Sequence, residues 1–252
     1  MSDVLNRKSS VEQEYLGALT NARQEAQKYM EPGQFVENTF MFLTKKEISH
    51  ILFFYDLYAK HIVNVHGNIY EFGARFGRNL VLFTMLRGLL EPFNFTRKVI
   101  GFDTFSGFPS VHGKDGEHST VRVGAYGGLP DNYPALLAAL LAGHESDLPI
   151  PHLKKFDIVI GDINQTSPQH FAANPADLVA LAYFDVDLYE PTKIALTEVL
   201  RRSGKGTVLV FDEVNAAHYP GETVALLESC DIKASGLQRN PLAAGKSFIV
   251  LS

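Results

Sequence analysis

A single cysteine, Cys230, stands among the 252 residues, and tryptophan is missing altogether. One thiol cannot close an intrachain disulfide, so the core must hold the fold, in keeping with a reducing compartment. No stretch approaches the ~18 consecutive apolar residues of a membrane span. The opening MSDVLNRKSSVEQEYLG has no apolar run after its charges of the kind a secretory leader needs. The expectation is a cytoplasmic protein with no membrane partner. An excess of positive charge is also lacking. Lys and Arg number 23 against 28 Asp and Glu, a net charge of −5, which is not the basic footprint of a nucleic-acid binder. Mild acidity is compatible with a small-molecule partner.

Against these absences stand 46% apolar and 20% charged residues, an ordinary balance for a chain with a sizeable core. The length suits one α/β domain or two small ones. Residues 1–40 are polar and weakly periodic; a helix is expected around 10–29, then a loop at MEPGQF. In TKKE (44–47), Thr44 and Glu47 are spaced as a capping box. Ile48, Ile51, Leu52, Tyr55 and Ile62 follow at helical spacing, which predicts an amphipathic helix over 45–63 with that stripe as its apolar face.

Beyond it, short apolar runs alternate with helical segments. NIYEF (68–72), KVIGF (98–102), FDIVI (156–160), LVALAYF (178–184), TVLVF (207–211) and SFIVL (247–251) read as strands, with helices at 77–90, 131–142, 190–202 and 220–229. The alternation argues for an α/β fold of βαβ units, a mostly parallel central sheet with helices on both faces. The expected division is an N-terminal helical extension or lid over 1–64 and a main domain over 65–252. Ligands of such sheets bind beyond the carboxyl ends of the strands, so the residues just after each run are the informative ones. SVHGKDGEHSTVRVGAYGG (110–128) is polar, glycine-rich and of a length that is either disordered or a functional lid.

The first run ends in YEFGARFGRN. Gly73 and Gly77 after Glu71 would permit a tight turn and close approach of backbone to a ligand at a helix N-terminus. The spacing is not G-x-G-x-x-G, so the dinucleotide fingerprint is not met, and a plain glycine turn is the competing reading. The second run ends in GFDTFSGFP. Asp103 lies downstream of Gly77 at about the interval at which an acid grips a ribose, or it merely begins a turn. Phe105 and Phe108 would wall an adenine or belong to the core. After the third run, Asp162 would bind an adenine amine or cap the next turn. The fourth ends in AYFDVDLYEPT, with Asp185 and Asp187 on one side if the strand persists, and the fifth in VLVFDEVN, with Asp212 and Glu213. Neighbouring tips would crowd at least three carboxylates, which repel unless one takes a proton or a cation sits between them. All-oxygen ligation favours Mg²⁺, Mn²⁺ or Ca²⁺ over zinc. The alternative is that these acids cap helices or pair with Lys193, Arg201 or Arg202.

Taken in order, these motifs resemble the macrocin O-methyltransferase-like family, class I S-adenosylmethionine-dependent enzymes that methylate deoxysugar hydroxyls. YEFGARFG resembles its first glycine motif and FDTFSGFP its acidic motif. FDVDLYEPTKIAL is similar to its Asp-x-Asp-Leu-Tyr-x-x-Thr signature, VFDEVN to its paired-acid strand end, and YPGE (219–222) to the Pro-Gly segment after it; the match spans roughly residues 65–225. The resemblance implies a Rossmann-like class I methyltransferase fold over 65–252, with S-adenosylmethionine and Mg²⁺ or another hard divalent cation as cofactors. It implies that Glu71, Gly73 and Gly77 border the methionine part and that Asp103 holds the ribose, with Thr104, Phe105, Asp162 and Asp185 completing the cofactor site. Asp185, Asp212 and Glu213 would ligate the metal; Asp185 would double as the base, with His218 the alternative. Two positions depart from the family: Glu213 where it has aspartate, and Arg78 where it tends to have glycine. The implied acceptor is a hydroxyl of a sugar or glycosylated small molecule. A phenol or catechol acceptor competes, against which the missing tryptophan and the polar 110–128 loop lean. A non-methylating, oxygenase-like or cofactor-binding relative also competes; no histidine at the fourth or fifth strand tip supports it. Nucleic acid is not expected as a partner, and a homo-oligomer stays open.

Overall fold

The structure, a computed structural model, describes residues 9–243 and 245–252; the first eight residues of the polar N-terminal stretch lie outside the described residues. The chain divides into two compact units, Met1–Leu52 and Phe53–Ser252. In the first, α1 (Ser10–Tyr29) begins where Ser9 accepts the Glu12 N–H at 3.1 Å. MEPGQF is not a loop. Pro32, whose fixed φ suits a first helical position, opens α2 (Pro32–Glu37), and Gln34 accepts the Glu31 N–H at 3.1 Å. A 3₁₀ turn follows over Thr39–Phe42.

The next helix, α3 (Lys45–Lys60), starts at the expected box: Glu47 accepts the Thr44 N–H at 2.9 Å, while the Thr44 hydroxyl accepts from Lys46 rather than Glu47. It stops at Lys60, and a 3₁₀ turn covers Ile62–Asn64. Of the expected stripe only Ile62, in the turn beyond the helix, is buried. Phe53, Phe54, Leu57 and Tyr58 are buried, whereas Ile48, Ile51, Leu52 and Tyr55 are 38–46% exposed. Both sets repeat at helical spacing; the set with three aromatic rings removes more apolar area from water when buried.

In the second unit β1 (Asn68–Phe72), β2 (Val99–Asp103), β3 (Phe156–Ile160), β4 (Val179–Phe184) and β5 (Ser203–Phe211) run parallel in the order β3-β2-β1-β4-β5. The two-residue β6 (Gln238–Arg239) pairs with β7 (Ser247–Val250), which lies antiparallel on β5. Helices α4 (Arg78–Leu90), α5 (Tyr133–Ser146), α7 (Tyr189–Leu200) and α8 (Pro220–Ser229) fall where the periodicity puts them. Two more, α6 (Ile163–Ala173) and α9 (Ile232–Ser235), do not. The buried positions of α6 are Ile163, Ser167 and Phe171, so a serine interrupts its apolar stripe.

Alternation along the strands builds a core on each face. Ile69, Leu181, Tyr183 and Val208 meet Leu57 of α3, Phe83 of α4 and Leu137 of α5. On the other face Phe171 of α6, Leu196 of α7 and Leu226 of α8 cover a row of phenylalanines. Phe102, Phe72, Phe184 and Phe211 stack across four adjacent strands at centroid spacings of 5.0, 5.3 and 5.0 Å. This row lies at the carboxyl ends and fixes their relative height. The strand order reverses between β1 and β4, the switch point at which open α/β sheets form their crevice. No helix among the described residues is long and apolar enough to cross a membrane.

Candidate active site

At the crevice, β1 and β4 approach closely. The Asp185 N–H donates to Phe72 O at 2.9 Å. Gly73 has φ +93, and a Cβ there would lie 1.9 Å from Asp185 O, so only glycine lets the two tips meet. Gly77, φ +73, is the N-cap of α4 and faces Leu137, which a Cβ would strike at 2.2 Å. Glu71 points to the α4 side of β1 and is buried; Asn79 Nδ2 donates to its Oε1 at 2.6 Å, while its Oε2 has no hydrogen-bond partner. Burial pushes this carboxyl well above the usual range, against the Asn79 hydrogen bond that lowers it. An orphaned buried carboxylate oxygen is the acceptor that an N–H-bearing ligand group would satisfy.

Asp103 ends β2 and accepts two backbone N–H groups, from Arg75 at 2.7 Å and from Phe105 at 2.6 Å. It therefore ties the glycine turn of β1 to the turn after β2. Burial raises its pKa, and the two N–H donors oppose the rise. The Thr104 hydroxyl donates to Gly107 O at 2.7 Å, and Phe105, φ +55, is buried in the α4-side core. Asp162 caps α6, its Oδ1 accepting the Asn164 N–H at 2.9 Å, which is the capping half of the two sequence readings.

The acids after β4 and β5 are drawn together differently from the strand-alternation argument. The strand stops at Phe184, and Asp187 takes a left-handed φ of +62, so alternation does not relate it to Asp185. Asp212 does not pair with Lys193, Arg201 or Arg202, which bridge Glu228 and Glu198. It forms an ion pair with Lys246. Between the two tips lies the buried hydroxyl of Tyr183, 2.9 Å from Asp185 Oδ2, 2.7 Å from Asp212 Oδ1 and 2.8 Å from Lys246 Nζ. Burial raises Asp185 while Lys246 lowers it. Asp187 is pushed up to about 8 by burial and by the charges of Asp185 and Glu213. Glu213 is raised by burial and by Asp185; its N–H donates to the fully buried Glu222 at 2.9 Å. Among the described residues no group of three His, Cys, Asp or Glu converges as metal ligands. Asp185 and Asp212 both face the Tyr183 hydroxyl, and Glu213 follows Asp212 directly in the chain.

The 110–128 loop is tied down over this end of the sheet. Asp115 is 1% exposed; its Oδ1 accepts the N–H of Tyr189, first residue of α7, and its Oδ2 that of His112, both at 2.6 Å. Gly221 leaves room for that carboxylate, since a Cβ there would lie 2.3 Å from Asp115 Oδ1. Tyr219, just before α8, links the loop residues Thr120 and Tyr126 by hydroxyl contacts, 2.5 Å to Tyr126. His218 packs its ring on His118 at 4.8 Å, with Nε2 buried and unpartnered; it belongs to the loop–α8 seam, not to the Tyr183 cluster. Tyr183, Lys246 and Asp115 are not singled out by the sequence, because each meets partners supplied by another element.

Two solved structures of CalS11, a calicheamicin methyltransferase, are similar to the chain over nearly all of both lengths. One is 35% identical, covers 97% of this chain and 94% of that one, and superposes with a TM-score of 0.90. The other, an apo form described as a TDP-rhamnose 3'-O-methyltransferase, is 32% identical with coverages of 97% and 96% and a TM-score of 0.84. The O-methyltransferase NovP, 19% identical with coverages of 81% and 80% and a TM-score of 0.59, shares the fold. No protein-family model matches the chain, and no curated protein does. With a third of its residues identical over 97% of its length, a mostly parallel sheet covered on both faces and acids at four strand tips, the chain belongs to the macrocin O-methyltransferase-like family of class I S-adenosylmethionine-dependent O-methyltransferases.

Proposed function

We propose that the protein methylates a hydroxyl of a sugar, in free nucleotide-linked or glycosidic form, with Asp185 as the proton acceptor. The observation that carries this reading is Asp185 itself. It sits at the switch point against Gly73, half-buried, with Tyr183 donating to one oxygen, 2.9 Å away. Bound S-adenosylmethionine supplies a methyl group on a sulfonium sulfur, which becomes a thioether as the acceptor oxygen takes the methyl. Glu71, through its unpartnered Oε2, would hold the amino group of that cofactor, and Asp103 the ribose. A sugar hydroxyl is a poor nucleophile at neutral pH, so a carboxylate positioned to take its proton as the new bond forms contributes about 10²–10⁴-fold. Arg75, whose guanidinium lies over Tyr126 at 5.0 Å, and the pinned 110–128 loop would wall the acceptor side and exclude water. The divalent cation expected at Asp185, Asp212 and Glu213 does not fit this arrangement. Asp212 is already engaged by the Lys246 ammonium, and the three acids do not converge.

The relative CalS11 is described as acting on TDP-rhamnose, so nucleotide-linked deoxysugars are the first acceptors to assay. Titration calorimetry with S-adenosylhomocysteine is expected to show one site per chain. The Asp185→Asn variant is expected to keep that binding and lose about 10²–10³-fold in kcat. Absence of S-adenosylhomocysteine binding, or transfer to a catechol in preference to every sugar offered, would reject the reading.

A further inference from the structure

We infer that the ammonium of Lys246 is the resident cation of this site, a positioning residue that acts on Asp185 through Tyr183. The inference rests on the sugar O-methyltransferase reading above and deepens it.

Lys246 is placed by backbone register. Strand β7 runs antiparallel to β5, and its last ladder pair is Phe211 with Ser247. One residue beyond that pair on the two segments stand Asp212 and Lys246. Because β7 is reversed, its amino end arrives at the carboxyl ends of the parallel strands, where the acids are. Side chains directly opposite across an antiparallel pair lie within reach of each other, and here they form the ion pair. The Lys246 N–H also anchors locally, donating to Ala243 O at 2.9 Å.

Proton counting then gives the cluster a direction. The Tyr183 hydroxyl has one proton and faces two carboxylate oxygens, Asp185 Oδ2 and Asp212 Oδ1. It cannot donate to both. Lys246 has three N–H donors; one serves Asp212 and one points at the phenol oxygen, 2.8 Å away. With Asp212 satisfied by the ammonium, the phenolic proton is left for Asp185. The chain Lys246, Tyr183, Asp185 therefore aims a hydrogen bond at one Asp185 oxygen and leaves the other to accept the acceptor's proton. The same ammonium offsets one of four carboxylates, Asp185, Asp187, Asp212 and Glu213, crowded at two strand tips. That leaves less charge for a divalent ion to offset.

The test uses the full chain saturated with S-adenosylhomocysteine for binding and with S-adenosylmethionine for turnover. Titration with Mn²⁺, read by electron paramagnetic resonance, is expected to show no stoichiometric site in the wild type, and turnover is expected to persist in EDTA. Lys246→Met is expected to lose about 10²-fold in kcat, in line with removal of a preorganised electrostatic group, while the KM for S-adenosylmethionine stays within about twofold. Lys246→Arg is expected to recover most of the loss, and Tyr183→Phe to lose no further activity when combined with Lys246→Met. One Mn²⁺ bound per chain and lost in Asp212→Asn overturns the inference, as does a Lys246→Met enzyme with wild-type kcat or an arginine variant as slow as the methionine one. If no sugar is methylated by the wild type, the functional reading fails by itself, and the Mn²⁺ titration alone decides the role of Lys246.

Discussion

Gly73 shows how much one residue carries at the switch point. Its φ of +93 and the 1.9 Å approach of a hypothetical Cβ to Asp185 O leave no room for a side chain. Gly73→Ala must open the β1–β4 tips or break the turn, so a destabilisation of at least about 2 kcal/mol is expected, with loss of S-adenosylhomocysteine binding in calorimetry even at temperatures where circular dichroism reports a folded chain. His170 carries a different single-residue effect. Its Nε2 is buried without a hydrogen-bond partner, 3.6 Å from Asp177 Oδ2, and burial lowers its pKa from the ordinary 6.5 against the opposing charge of Asp177. The unfolded chain then binds a proton that the folded chain refuses. Stability from this group is full above pH 6.5 and declines as pH falls below it. Melting temperatures between pH 7.5 and 5 are expected to fall more steeply for the wild type than for His170→Gln; equal slopes would remove His170 from that account.

Among the elements, the 110–128 loop has neither helix nor strand, yet it is tethered at several points. Its chief anchor is Asp115, which accepts the first N–H of α7 as an N-cap would, although it lies 74 residues away in sequence. Loss of an N-cap acceptor costs about 0.5–2 kcal/mol. Asp115→Ala is therefore expected to lower stability by that amount and, more tellingly, to bring trypsin cleavage to Lys114 and Arg122 under conditions where the wild type resists. Resistance equal to wild type would mean that the Tyr219 hydroxyl contacts with Thr120 and Tyr126 suffice. Helix α3 was legible as a helix but not in its orientation. Two apolar stripes compete on it, and only the packing of Phe54 against Phe83 and Tyr183, at centroid distances of 4.9 and 5.2 Å, selects one. Helix α6 escaped notice because Ser167 and Pro168 break its periodicity, while the signal that marks it, the Asp162 cap, was also readable as a ligand contact.

Across the whole sheet, the two ends divide the work. At the amino ends, buried charges stand in ion pairs. Arg87 and Lys155 both bridge Glu145, joining α4, α5 and the approach to β3. Arg97 donates to the carbonyls of Ile62, Val65 and Gly67 and bridges Glu91. At the carboxyl ends, acids are buried with fewer partners and raised pKa values. Perturbed groups gather where a ligand is to be met, and satisfied ones where the frame is held. Glu145→Gln would leave two buried cations facing an amide, a loss of about 3–5 kcal/mol. Chemical denaturation is expected to show that loss, while the affinity of the folded fraction for S-adenosylhomocysteine stays unchanged because the cluster lies at the opposite end of the sheet.

Six strands, four of the helices around them and the acids at the strand tips can be read from the amino-acid order alone. Those features are local: strand runs, helical periodicity and the position of a charge just after an apolar run are written in consecutive residues. The family was likewise legible, because its motifs are short and ordered. How the acids are shared depends on contacts between distant segments. Whether Asp212 faces a metal or a lysine depends on the direction of β7 and its register on β5, and neither is encoded near Asp212. Sequence reasoning could place three carboxylates near one another; the antiparallel return of β7 brings Lys246 opposite Asp212, beside the Tyr183 hydroxyl.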